Sequence, residues 1–158
     1  MDFSLSTTTV IDAPPAAVFD VVTDVDRLPE WNDEVTKVVE RPATLAVGAE
    51  WVVEMHALHT IWRSRSTVVE VDAERGCFAY RSRSDDGKPS YADWRWEVTA
   101  DAGGARVQVS VEAPPRSFWR RHLLSRIRPT GLRRAMERSL RALRGQVTAG
   151  RDDATPKD

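Results

Sequence analysis

Few residues in this chain have the type and spacing to carry chemistry. His56 and His59 form a His-x-x-His pattern, but on an extended strand residues three apart point to opposite faces, and no third ligand stands nearby, so no metal site is expected. His59 shares the parity of Trp51, Val53 and Met55. If their strand reaches that far, His59 is the polar group closest to the mouth of a cavity and could act as a general base near neutral pH. A hydrogen-bonded or exposed turn histidine explains it as well. Tyr80 and Ser82 share one parity of a later strand. Once buried, a tyrosine hydroxyl needs a partner, either a ligand carbonyl or another side chain of the protein. His59, Tyr80 and Ser82 are therefore the candidates for acid–base work. There is no Gly-x-Ser-x-Gly elbow, phosphate loop or dinucleotide fingerprint, so nucleophilic hydrolysis and nucleotide chemistry have no support and no cofactor is expected.

The elements that would position these groups follow from periodicity. From Val35 to Glu112 apolar and polar residues alternate, which predicts strands over 35–41, 49–58, 60–71, 77–84, 91–99 and 105–112. Turn residues separate them: Pro42 and Gly48, Glu74-Arg75-Gly76, Asp85 to Pro89, and Asp101 to Gly104. Links this short imply an antiparallel meander. Trp51, Val53 and Met55 oppose Glu50, Glu54 and His56; Trp94, Trp96 and Val98 oppose Asp93, Arg95 and Glu97; Val107, Val109 and Val111 oppose Arg106, Gln108 and Ser110. These three strands read as half-buried, with Arg95 facing solvent. Phe78 and Tyr80 take the inward parity of 77–84. Strands 35–41 and 60–71 mix charged and apolar groups on both parities, and no face is assigned to them.

At the N-terminus, Phe3 to Ile11 shows the same two-residue period with β-branched enrichment and reads as a strand. Asp12-Ala13-Pro14-Pro15 is a helix start, since proline is tolerated in a first turn. Asp24 to Trp31 predicts a second short helix that Pro29 interrupts or ends, with Val25, Leu28 and Trp31 on one face. Trp31 either staples that helix to the core or touches a ligand. Beyond Pro114-Pro115, Leu132, Met136, Leu140, Leu143 and Val147 recur at helical spacing. A helix from Pro129 to about Thr148 measures roughly 30 Å, enough to cross a sheet. Residues 149–158 are expected to be a disordered tail, leaving 1–148 as one domain.

The 158 residues carry a formal net charge of -1, which conceals a strong separation. Residues 1–113 hold 11 basic and 20 acidic side chains, whereas residues 114–150 hold 10 arginines and one acid, Glu137. The basic segment either touches phosphate or folds back on the acidic body. Within it, Arg116 to Arg128 encloses Phe118, Trp119, Leu123, Leu124 and Ile127, a short amphipathic stretch suited to an anionic membrane surface or to a lid over a cavity. Over the whole of Arg116 to Arg144 the arginines alternate mostly with aliphatic residues, so nucleic acid is not an expected partner. No stretch approaches the roughly 20 apolar residues of a membrane-spanning helix. The single cysteine, Cys77, excludes an internal disulfide and points to a reducing, cytoplasmic setting. Nothing in the sequence fixes the oligomeric state.

The order strand, two short helices, six strands, long helix resembles the START-like helix-grip superfamily, also called SRPBCC, and within it the polyketide cyclase/dehydrase-like group. The likeness is carried by Val10 to Asp20, Asp24 to Trp31, Val47-Gly48, Val68 to Asp72 and Phe78 to Arg81. The resemblance implies an α+β fold in which a curved seven-stranded antiparallel sheet, two short helices and one long C-terminal helix enclose a cavity for a hydrophobic ligand. That cavity is expected to be on the order of a few hundred Å³. Trp31, Trp51, Val53, Met55, Phe78, Tyr80, Trp94, Trp96, Val109, Met136 and Leu140 are the candidate lining residues, and a packed core would use the same residue types. Family members either bind and transport or cyclise and dehydrate. The chain is thus expected to bind a lipid- or polyketide-like small molecule, with a cyclase/dehydratase enzyme using the same cavity as the alternative.

Overall fold

A computed structural model describes residues 3–57, 59–85, 87, 91–113 and 128–153. Strand β1 (Phe3–Ile11) leads into helix α1 (Pro15–Thr23), a 3-10 turn at Val25–Arg27 and helix α2 (Leu28–Trp31). Strands β2 (Val35–Glu40), β3 (Glu50–Ala57), β4 (Thr60–Asp72), β5 (Cys77–Ser84), β6 (Tyr91–Asp101) and β7 (Gly104–Ala113) follow, and helix α3 (Arg128–Asp153) ends the described chain. The short turns force sequential strands to pair, and β1 returns to pair with β7, giving one antiparallel sheet in the order β1-β7-β6-β5-β4-β3-β2. This is the expected α+β helix-grip fold, a curved seven-stranded sheet gripping a long helix. Pro29 does not end a helix but stands in the first turn of α2, where its missing N–H costs nothing.

The sheet has one apolar face. Ile11, Trp51, Val53, Phe78, Trp96, Val98, Val107, Val109 and Val111 are all buried in a single cluster on it. Strand β4 resisted assignment because its pairing with β5 slips between Val68 and Glu70. The extra residue, Val69, is pushed out to solvent, and the inward parity shifts across the bulge. Before the slip Ser64, Ser66 and Val68 face inward and are buried, and an apolar-versus-charged reading does not count the two serines.

Arg95 lies on the outer face, as its parity suggested, and is held there by ion pairs. On the outer face it bonds Glu70 Oε2 at 2.7 Å and Glu97 Oε1 at 3.0 Å, and its guanidinium lies 3.6 Å from Cys77 Sγ. Its side chain is only 37% exposed. Together with the bidentate Arg81–Asp93 pair, it covers the buried Cys77 and Ala79, so long arginine stems supply apolar cover on the face of the sheet opposite α3.

Helix α3 buries Leu132, Met136, Leu140, Leu143 and Val147 as the spacing predicts, but it runs past the expected end at Thr148 to Asp153. Residues 149–153 are therefore helical and not a disordered tail. Arg138 makes two bonds to Asp33 Oδ2, at 2.9 and 2.8 Å, and the adjacent Ser139 Oγ accepts from Asp33 N at 2.9 Å. On the other flank Arg144 donates to the Val10 carbonyl at 2.6 Å. Part of the basic C-terminal segment thus folds back on the acidic body.

Gly76, at φ 66°, makes the turn between β4 and β5. An added Cβ there would overlap the Val98 carbonyl oxygen, while Val98 N donates to the Gly76 carbonyl at 2.8 Å. Gly76→Ala is expected to lower stability by about 2 to 4 kcal/mol in urea melts. Gly145→Ala, on the exposed side of α3 with open space around it, should raise it by about 0.5 to 1 kcal/mol.

Candidate functional site

The strand parities bring the aromatic side chains together on the core face. Trp51 lies 5.9 Å from Phe78 and 4.9 Å from Tyr80, Phe78 lies 5.2 Å from Tyr80, and Trp31 meets Trp96 edge to face at 5.3 Å. Trp96 Nε1 donates to the Tyr80 hydroxyl oxygen at 3.3 Å. This supplies the partner that the sequence left open, and it is a protein group. Burial pushes the Tyr80 hydroxyl up to about 12, against a smaller opposing effect of the Trp96 bond. At neutral pH Tyr80 keeps its proton and is a hydrogen-bonding group or an acid, never a base.

A pocket opens where α3 crosses β6 and β7. Trp94, Trp96 and Val109 form its floor; Leu132, Ala135, Met136 and Ser139 of α3 form one wall, and Asn32 and Glu34 stand at its edge. Its enclosed part measures about 20 Å³ within a depression of about 300 Å³ that includes open solvent. A space of that size holds about one water.

Among the expected lining residues, Trp94, Trp96, Val109 and Met136 stand in the pocket wall. Trp31, Trp51, Val53, Phe78 and Leu140 are buried in the core cluster, with Met55 and Tyr80 packed against it. His59 does not follow strand parity. β3 stops at Ala57, and His59 sits exposed in the turn at φ 63°, the exposed turn histidine that the sequence offered as the other explanation. Ser82 does face inward, its hydroxyl 2.7 Å from that of Ser66.

Sequence reasoning missed the rest of this polar band. Ser64 pairs with Ser84 and Ser66 with Ser82 in the β4–β5 register, placing four hydroxyls beside the aromatic cluster. The signal was present in Ser64-Arg65-Ser66 and Ser82-Arg83-Ser84, where strict alternation with arginine leaves serine as the inward residue. The basic stretch read as lid or membrane contact, residues 116–127, lies outside the described residues. No described helix is long and apolar enough to cross a membrane.

The family model described as polyketide cyclase / dehydrase and lipid transport matches residues 2–148. The chain belongs to this family. No curated protein matches the sequence significantly. Solved structures share the fold at low identity. A Thermus thermophilus protein superposes with a TM-score of 0.75 at 19% identity, covering 94% of this chain and 99% of its own. Zhui aromatase/cyclase from a Streptomyces species gives 0.72 at 18% identity, covering 94% of each chain. Ara h 8.0201 gives 0.70 at 15% identity, covering 94% of this chain and 99% of its own. Family membership and fold agree, and the same fold carries proteins as different as a cyclase and Ara h 8.0201.

The Tyr80 environment has a testable consequence. Because its folded value of about 12 lies above the ordinary 10.0, the folded state holds this proton more tightly than the unfolded chain. Stability from this group is complete below about pH 10 and falls as pH rises toward 12. Melting temperatures recorded across that range should fall less steeply for Tyr80→Phe than for the unaltered protein.

Proposed function

We propose that this protein binds a hydrophobic or amphipathic small molecule, lipid- or polyketide-like, between the core face of the sheet and α3. One observation carries the reading: the core face is divided into an aromatic zone on β5 and β6 and a band of inward serines on β4 and β5. Ser66 and Ser82 satisfy each other at 2.7 Å, and their hydroxyls are also able to bond a polar group of a ligand. An amphipathic molecule uses both zones. Met136 stands in the α3 wall of the pocket, and its unbranched thioether adapts to a ligand at little cost.

The enzymatic alternative, a cyclase or dehydratase, has weaker support. Acid–base work needs a base within hydrogen-bond reach of an acid. His59 is exposed in its turn, Tyr80 holds its proton, and Ser66 and Ser82 bond each other. The lone buried thiol, Cys77, is consistent with a reducing cytoplasm.

Titration with N-phenyl-naphthylamine, a neutral apolar dye, tests the binding reading. Saturable fluorescence enhancement is expected from the unaltered protein, and Met136→Trp, which fills the pocket, should weaken it about tenfold. Absence of saturable binding, or binding indifferent to Met136→Trp, contradicts the reading.

A further inference from the structure

Among the described residues one charged side chain stands in the lining of the pocket under α3, and it is an acid. Glu34 shares that lining with two neutral polar residues, Asn32 and Ser139, and the rest of it is apolar or aromatic. Its backbone is bonded on both sides. Glu34 N donates to Asn32 Oδ1 at 3.2 Å, and the Glu34 carbonyl accepts from His56 N of β3 at 2.8 Å. The half-buried carboxylate is thus anchored at the pocket edge, between α2 and β2, and does not ride on a free loop.

The described charges around it do not cancel. Arg138 of α3 makes two bonds to Asp33 Oδ2, at 2.9 and 2.8 Å, so the neighbouring acid already balances this guanidinium. Asp33 holds the Arg138 charge most strongly, and Glu34 adds only a weaker attraction. Two acids against one arginine leave this edge negative. A carboxylate offers about four acceptor sites and no donor, so a further donor can join whatever Glu34 already bonds. The depression also includes open solvent, and an ionised head group at its edge keeps part of its hydration and avoids the cost of full burial. We propose that Glu34 is a specificity-determining residue that receives a protonated amine, so that the preferred occupant is a cationic amphiphile, its ammonium at Glu34 and its apolar chain against Trp94, Trp96 and Met136. A fatty-acid-like carboxylate is repelled from the same edge. This rests on the binding reading above and adds to it the charge of the ligand's polar end.

The test is displacement of N-phenyl-naphthylamine from the unaltered full-length protein, near neutral pH, by decylamine, 1-decanol and decanoate. The three share an unbranched alkyl chain and differ in head-group charge. Decylamine should compete about tenfold more tightly than decanoate, with decanol between them. Glu34→Gln should bring the amine-to-acid ratio to about one and leave decanol unchanged, and Glu34→Lys should reverse the order. Equal competition by amine and acid in the unaltered protein, or a ratio that Glu34→Gln does not move, overturns the proposal. If the dye itself does not bind saturably, the binding reading fails, an outcome distinct from dye and decanol binding without discrimination by charge. Should the Glu34 variants fail to fold, nuclear Overhauser contacts of decylamine in the unaltered protein decide. The methylene beside the ammonium must contact the Glu34 side chain and the terminal methyl must contact Met136; the reverse orientation, or no contact at Glu34, overturns the proposal.

Discussion

A single helix has to cover the apolar face of seven strands. Strands spaced about 4.8 Å apart make a sheet about 30 Å wide, whereas a helix with its side chains is only about 10 Å across. The helix therefore shields one stripe, and the uncovered area must be filled by large side chains, by α1 and α2, or by something that is not part of the chain. The concentration of tryptophan on β3 and β6 answers this constraint, as does the placement of Trp31 on α2 against Trp96. The outer face meets the same problem by laying Arg81 and Arg95 over Cys77 and Ala79.

The helix is held from its flanks. Arg138 and Ser139 clamp it to Asp33, Arg27 reaches Gln146 at 3.1 Å, and Arg144 reaches back to β1. Donating hydrogen bonds to the Asp33 carboxylate raises the Arg138 pKa further above its ordinary value, so the guanidinium remains charged at any physiological pH. Exposed pairs of this kind contribute roughly 0 to 1 kcal/mol each, and burial of Leu132, Met136, Leu140, Leu143 and Val147 supplies most of the attachment. The polar clamps instead fix where the helix lies. Between them its middle passes over Trp94 and Trp96 with little enclosed space, which is the place where a modest displacement would admit a ligand.

The fold was largely legible because its determinants are local. The turn residues around Gly76 and Gly103 fix strand ends, and alternation in β6 and β7 fixes which side is buried. Legibility failed where a nonlocal or irregular feature decided the outcome. The bulge at Val69 shifts parity within β4, the left-handed turn at His59 removes it from β3, and the Arg95–Glu70 ion pair depends on β4 and β6 flanking β5. The site was harder to read than the fold. Parity placed Trp94, Trp96, Val109 and Met136 on one face but gave no measure of how completely the rings would interleave, and counting serine as neutral hid Ser64, Ser66 and Ser84. That the buried Trp31 N–H finds no hydrogen-bond partner among the described residues could not be foreseen, since it depends on which acceptors are out of reach.

The central claim is that an apolar molecule enters between α3 and the core face of β6 and β7. Methyl NMR of isotope-labelled methionine and alanine tests it most directly, because Met136 and Ala135 line the pocket while Ala79 lies on the opposite face of the sheet beneath Arg95. On addition of N-phenyl-naphthylamine, the Met136 and Ala135 methyl signals should shift saturably and show contacts with the dye while Ala79 stays in place. Shifts confined to Ala79 and other outer-face methyls, or no shift at Met136 and Ala135 at saturating dye, would contradict the account.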